Sequence, residues 1–143
     1  MLQIEEISSQ YYFSDSAISS ILELINEEFP CNKSNITSKL INNDYCSFLV
    51  VNKKKGEVCG IITYNIISNL SSIKNLDIYN FLIKNNSESQ QTAQHAISWL
   101  ETIAMKKNCQ LVTVKLTTKN IFLQKIFAMH KFNLNQFTFE KKL

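Results

Sequence analysis

The chain contains no arginine, so all 15 of its basic residues are lysines. The planar, bidentate fork that arginine offers to phosphate or guanine is missing, and sequence-specific nucleic-acid recognition is not expected. Glycine and proline are almost as scarce: Gly56, Gly60 and Pro30 are the only ones. No apolar run approaches the roughly 18–20 residues of a membrane helix. The opening stretch, MLQIEEISSQ, lacks a basic segment followed by an apolar one, so no secretory signal is expected. The four cysteines, Cys31, Cys46, Cys59 and Cys109, form no C-x-x-C, and His95 and His130 lie apart from them in sequence. A zinc site, a disulfide framework and a Cys–His nucleophile are all unsupported, and no metal is expected. These absences describe a soluble, cytoplasmic chain with no nucleic-acid or membrane partner.

What remains is an ordinary globular composition, 45% hydrophobic with a net charge of +3 over 143 residues. That length suits a single domain spanning residues 1–143. The triplet Lys53, Lys54 and Lys55 reads as a solvated hairpin tip, with an anionic contact as the alternative.

Periodicity divides the chain into alternating elements. Residues 2–7 suit a short strand. Over residues 14–29, Ile18, Ile21, Leu22, Ile25 and Phe29 recur at helical spacing and Pro30 stops the run. A second short helix is expected over residues 36–42. FLVVNKKKGEVCGIITYNII reads as a hairpin turning at Lys54-Lys55-Gly56, with Gly60 at a bulge or a close contact. NLDIYNFLI, residues 75–83, is a further strand. Residues 88–107 form an amphipathic helix with Ala93, Ile97, Leu100 and Ala104 inward, and Ser87 with Gln90 has capping-box spacing. CQLVTVKLTT is a strand, and NIFLQKIFAMHK a helix with Phe122, Ile126 and Met129 inward. FNLNQFTFEKKL closes the chain as a strand with Phe137 and Phe139 on one face. The order β-α-α-β-β-β-α-β-α-β implies a mixed α/β fold, its sheet covered by helices.

This order, together with its motifs, resembles the GNAT superfamily of N-acetyltransferases. The hairpin FLVVNKKKGEVCGIITY stands where that family shows "fLVae-dGeivGfi-y". Asn120, Leu123, Phe127, Lys131 and Phe132 occupy the places of its N-x-x-A-x-x-x-Y-x-x-x-G-F. Counting from Ile83, its R/Q-x-x-G-x-G/A loop falls without a gap on Glu88, Ser89, Gln90, Gln91, Thr92 and Ala93. The resemblance spans about residues 2 to 143 and implies a mostly antiparallel sheet flanked by helices.

The resemblance also implies acetyl-CoA as co-substrate and transfer of its acetyl group to a primary amine of a protein, peptide or small molecule. Backbone amides of Gln91, Thr92 and Ala93 would meet the pyrophosphate at a helix N-terminus. Those around Phe81, Leu82 and Ile83 would polarise the thioester, and Asn120 would contact the pantetheine arm, cap its helix, or do both. Asp77 stands where some protein-acetylating members place a glutamate base. Phe127 takes the position of the family tyrosine and has no hydroxyl to give the departing thiolate, although Tyr64 or Tyr79 could substitute. Two departures at the loop, Gln91 for the central glycine and Glu88 for Arg or Gln, support an alternative. In it the chain is an inactive GNAT-like binding or regulatory module that has lost CoA. A third reading is a homodimer formed through an exposed strand or the aromatic C-terminal tail.

Overall fold

Near-continuous runs of apolar, largely β-branched residues organise the middle of the chain into long strands buried on both faces, and a period near 3.6 organises what crosses them. The computed structural model describes residues 2–8, 13–28, 46–136 and 138–143. The elements are β1 (Leu2–Ile7), α1 (Asp15–Glu28), β2 (Cys46–Asn52), β3 (Glu57–Ser68), β4 (Lys74–Ile83), α2 (Ser89–Lys106), β5 (Leu111–Val114) and α3 (Ile121–Met129). The helix expected over residues 36–42 lies outside the described residues. The five strands form one sheet in the order β1-β2-β3-β4-β5. The first four are antiparallel, and β5 joins parallel to β4, as the crossover through α2 requires.

Each face of the sheet carries its own core. Val50, Ile62, Tyr64, Leu76, Ile78 and Phe81 point to one face, where α2 lays down Ala93, Ala96, Ile97, Leu100 and Ala104. Leu123, Ile126 and Phe127 of α3 join the same cluster. Leu49, Val58 and Ile61 point to the other face and meet Ile21 and Leu24 of α1. Full burial of each such aliphatic side chain contributes about 1.5–3 kcal/mol.

Two bulges adjust the sheet. Val50 pairs with Gly60 and Val51 with Val58, so Cys59 is the extra residue of β3. Thr63 pairs with Asn80 and Tyr64 with Ile78, which makes Tyr79 the extra residue of β4. Gly60 is tightly enclosed: a Cβ there would stand 3.1 Å from both Ile83 Cδ1 and the Leu82 carbonyl oxygen, and 3.2 Å from Val50 Cβ. At the hairpin tip, Gly56 takes a φ of +63°. The buried Asn52 Oδ1 accepts from the amides of Lys54 at 3.1 Å and Lys55 at 3.3 Å.

Three expectations need correction. First, α2 starts at Ser89 with Glu88 in the cap position, so Ser87 and Gln90 do not form a capping box. Second, α3 buries Leu123, Ile126 and Phe127, while Phe122 and Met129 are exposed. Nearly every residue of IFLQKIFAM is apolar, so periodicity alone could not choose its inner face. Third, no strand follows β5 among the described residues, and Leu134 and Phe139 of the tail stand exposed. With only four residues, β5 offers a further strand few backbone groups to pair with.

Candidate functional site

The pairing of β4 is the geometric key. β5 pairs with it only from Asn75/Leu111 to Ile78/Val114. β4 continues along β3 as far as Ile83, opposite Gly60. From Tyr79 to Ile83 its outer edge therefore has no strand partner among the described residues, because β5 ends at Val114. The bulge at Tyr79 sits just past the last rung shared with β5, a usual place for a strand to be re-aimed.

An aromatic stack fills the core side of this opening. The buried Phe81 of β4 meets the buried Phe127 of α3 edge-on, with ring centroids 5.0 Å apart. Phe127 in turn meets Phe132 edge-on at 5.0 Å. Phe127 thus anchors α3 to the sheet, and its hydrocarbon ring has no proton to move. Tyr64 stands in a separate aromatic group with Phe48 and Trp99, on β3 rather than at the edge of β4. Burial, together with the neighbouring Cys46 thiol, pushes its phenol up to about 12. Tyr79 is half-buried at the bulge.

Beyond Ile83, the loop into α2 is tied down by side chains. Asn86 Oδ1 accepts from the Glu88 amide at 2.8 Å. Ser89 Oγ accepts from the Asn86 amide at 2.7 Å and lies 2.6 Å from the Lys84 carbonyl oxygen, to which it donates. The Lys84 amide reaches back to the Cys59 carbonyl at 2.8 Å. No residue from Lys84 to Ala93 has a positive φ. The turn therefore closes in dihedrals open to any residue, and glycine is not needed for its conformation.

The first turn of α2 presents the amides of Gln90 and Gln91, whose ladder acceptors one turn earlier lie outside the helix. Gln90 and Gln91 are exposed, while Ser89, Thr92 and Ala93 are buried. Glu88 occupies the N-cap position without a side-chain cap bond, and its carboxylate at this positive helix end is a favourable placement for the helix dipole. Lys55 from the hairpin tip approaches Glu88 at 3.6 Å, and Lys53 pairs with Glu5 of β1. The Lys55–Glu88 pair is exposed on both sides and contributes less than about 1 kcal/mol. Hairpin tip, β1 and α2 together enclose a concavity of about 510 Å³ lined by Leu2, Asn52, Lys54, Lys55, Glu88, Gln91 and Thr92.

Asp77 lies on the α1 face of β4, opposite the core-facing Leu76 and Ile78, and only 7% of its surface is exposed. Its Oδ1 accepts from the Thr113 hydroxyl of β5 at 2.7 Å. Asn120 caps α3, its Oδ1 accepting from the Leu123 amide at 3.1 Å. Phe81, Ile83 and Phe127 thus meet on the α2–α3 face of the opening, while Asp77 and Leu82 stand on the other face. Glu88 to Ala93 begin α2, and Asn120 begins α3. Thr113 was missed from sequence, because it acts through a contact between elements far apart in the chain; Lys55, read there as part of a solvated tip with an anionic contact as the alternative, meets Glu88. No group of three or more metal-ligating side chains occurs among the described residues.

No family model and no curated protein matches the chain. Solved structures do match it over nearly their whole length. A GNAT family acetyltransferase from Staphylococcus aureus subsp. aureus USA300_TCH1516 is similar with a TM-score of 0.72 at 14% identity, covering 99% of this chain and 98% of the other. A ribosomal-protein-alanine N-acetyltransferase from Brucella melitensis biovar Abortus 2308 has a TM-score of 0.76 at 8% identity, covering all of both chains. An aminoglycoside acetyltransferase, meta-AAC0020, from an uncultured soil metagenomic sample has a TM-score of 0.69 at 16% identity, covering 99% and 96%. The fold is that of the GNAT acetyltransferases.

Proposed function

We propose that this chain, built on the GNAT fold, is an acetyl-CoA-dependent N-acetyltransferase acting on a primary amine of a protein, peptide or small molecule. The observation that carries this reading is the outer edge of β4 left open beyond the end of β5, with a nearly buried carboxylate, Asp77, on the last paired rungs before it. Such an opening admits the narrow acyl-bearing arm of the co-substrate and leaves the edge amides of Phe81 and Ile83 to polarise its carbonyl; the Leu82 amide, like that of Lys84, points the other way, to β3. The free first-turn amides of Gln90 and Gln91 and the dipole of α2 suit a pyrophosphate. The Thr92 amide, expected to join them, already donates to the Glu88 carbonyl at 2.9 Å, and Ala93 is buried one turn into the helix. Lys55 offsets the charge of Glu88. These residues fit the co-substrate at its arm better than at its phosphates. Asn120 is already engaged as a helix cap, so any contact with the arm is additional to that role.

In this reading the acceptor arrives as an ammonium and gives a proton to Asp77, directly or through one water. The freed amine adds to the thioester carbonyl carbon; the C–N bond forms as the C–S bond breaks. The amide nitrogen sheds one further proton. Water protonates the leaving thiolate, whose ordinary pKa of about 8.5 makes it a tolerable leaving group without a tyrosine at position 127. Incubation with acetyl-CoA and a panel of primary amines tests the reaction: CoA release should depend on amine and fall by about 10²–10⁴-fold in Asp77→Asn. Release that is amine-independent, or untouched by Asp77→Asn, contradicts it.

Glu88 favours a second reading, in which the fold serves as a binding or regulatory module without CoA. A carboxylate at the head of α2 competes for the field that would attract a pyrophosphate. Thermal shift separates the two, since a ligand at about 100 times its Kd adds roughly 2.7 kcal/mol of stability. No shift with low-millimolar CoA supports the module.

A further inference from the structure

We infer that Thr113 is a positioning residue for Asp77, holding its carboxylate through a relay that begins at Asn75; this rests on the acyl-transfer reading. Asp77 and Thr113 face each other on one rung of the parallel β4–β5 pair. Thr113 Oγ1 stands 2.7 Å from Asp77 Oδ1 and 2.9 Å from Asn75 Nδ2. It is also 3.3 Å from Asn75 Oδ1. A hydroxyl has one proton, and a carboxylate is the stronger acceptor, so that proton goes to Asp77. Asn75 Nδ2 then donates to the same oxygen and fixes its lone pairs. With Asn75 Nδ2 donating, Thr113 Oγ1 accepting and donating, and Asp77 Oδ1 accepting, the relay has a single direction from Asn75 through Thr113 to Asp77.

The relay engages only half of the carboxylate. Asp77 Oδ2 accepts no hydrogen bond among the described residues. The residue keeps 7% of its surface exposed. One oxygen is tied to the neighbouring strand, and the other is left for a proton. Threonine suits the first task, because its branched Cβ restricts χ1 in a strand and holds the hydroxyl in one place. The tie also crosses the last rungs that β4 and β5 share, so it fixes the carboxylate relative to both strands.

Steady-state acetyl transfer to the same amine panel tests the role in wild type, Thr113→Val, Thr113→Ser, Asp77→Asn and the Asp77→Asn/Thr113→Val double variant. Thr113→Val should lower kcat about tenfold, part of the 10²–10⁴ that a positioned base supplies, with KM for acetyl-CoA unchanged. Thr113→Ser keeps the hydroxyl and should restore most of kcat. The double variant should be no slower than Asp77→Asn alone, because groups acting as a unit are non-additive. A Thr113→Val enzyme with wild-type kcat, losses that add in the double variant, or a Thr113→Ser enzyme as slow as Thr113→Val would each overturn the inference. If Thr113→Val does not fold by circular dichroism, Asn75→Ala replaces it and should lower kcat without moving that KM; an unchanged kcat again overturns the inference. A wild type inactive on every amine removes the acyl-transfer reading and the inference with it; an active wild type indifferent to these changes removes the inference alone.

Discussion

Two turns occupy places where GNAT sequences carry glycine, and they answer its absence in opposite ways. The turn into α2 runs from Lys84 to Ala93 with every φ negative, its tightness supplied by the side chains of Asn86 and Ser89. The turn out of α3 keeps the left-handed conformation, with Lys131 at a φ of +66°. There the Phe132 amide bonds the Phe127 carbonyl at 3.0 Å and the Lys131 amide bonds that of Ala128 at 3.0 Å. These are the paired bonds of a Schellman end, sealed by the edge-on contact of Phe132 with Phe127. The end of α2 is built alike, with Asn108 at a φ of +60° and the Cys109 amide on the Ala104 carbonyl at 2.8 Å. Asparagine tolerates that conformation far better than lysine does. The contrast separates two functions of glycine. At the end of α3 the backbone still asks for it; at the start of α2 only close approach of a ligand would.

The largest effect should come from removing the seal. Phe127→Ala empties a buried site between Phe81 and Phe132 and should cost about 3–5 kcal/mol in denaturant melts. A cost below about 1 kcal/mol would mean that Phe127 does not hold α3 to the sheet.

Glycine placed in the two turns should have opposite signs. Lys131→Gly relieves a left-handed lysine and should stabilise by about 0.5–1 kcal/mol, raising Tm by roughly 2–4 °C. Gln91→Gly places glycine where φ is already helical and should destabilise by about 0.5–1 kcal/mol. Effects of the same sign at both positions would break the comparison.

The fold was legible in the sequence wherever one pattern dominated. Runs rich in apolar and β-branched residues about the Gly56 turn marked β2, β3 and β4, and the stripe Ala93, Ile97, Leu100 and Ala104 marked α2. It was not legible where pattern leaves the partner open. FNLNQFTFEKKL alternates well, yet a strand also needs an edge to pair with. In IFLQKIFAM the apolar residues surround the helix, so its buried side depended on the sheet. The candidate site divides similarly. The register of Glu88 to Ala93 could be counted from Ile83, but the Thr113 contact depends on where a parallel strand docks after a long crossover. The Lys55–Glu88 pair depends on a hairpin tip reaching a helix that begins more than thirty residues later.

The smallest effect lies at that pair. Glu88→Gln removes a carboxylate from the head of α2 and should tighten acetyl-CoA binding by up to about fivefold, roughly 1 kcal/mol, less at high salt. Lys55→Ala should weaken binding by a similar or smaller factor. Both shifts are read from Kd at two ionic strengths, and a salt-independent change would point away from charge.

The most direct test is isothermal titration of the unmodified chain with acetyl-CoA. One-to-one binding with a Kd below about a millimolar, lost on adding excess CoA as competitor, is the expected result. No heat of binding at several millimolar acetyl-CoA would contradict the assignment of this GNAT fold to acetyl transfer.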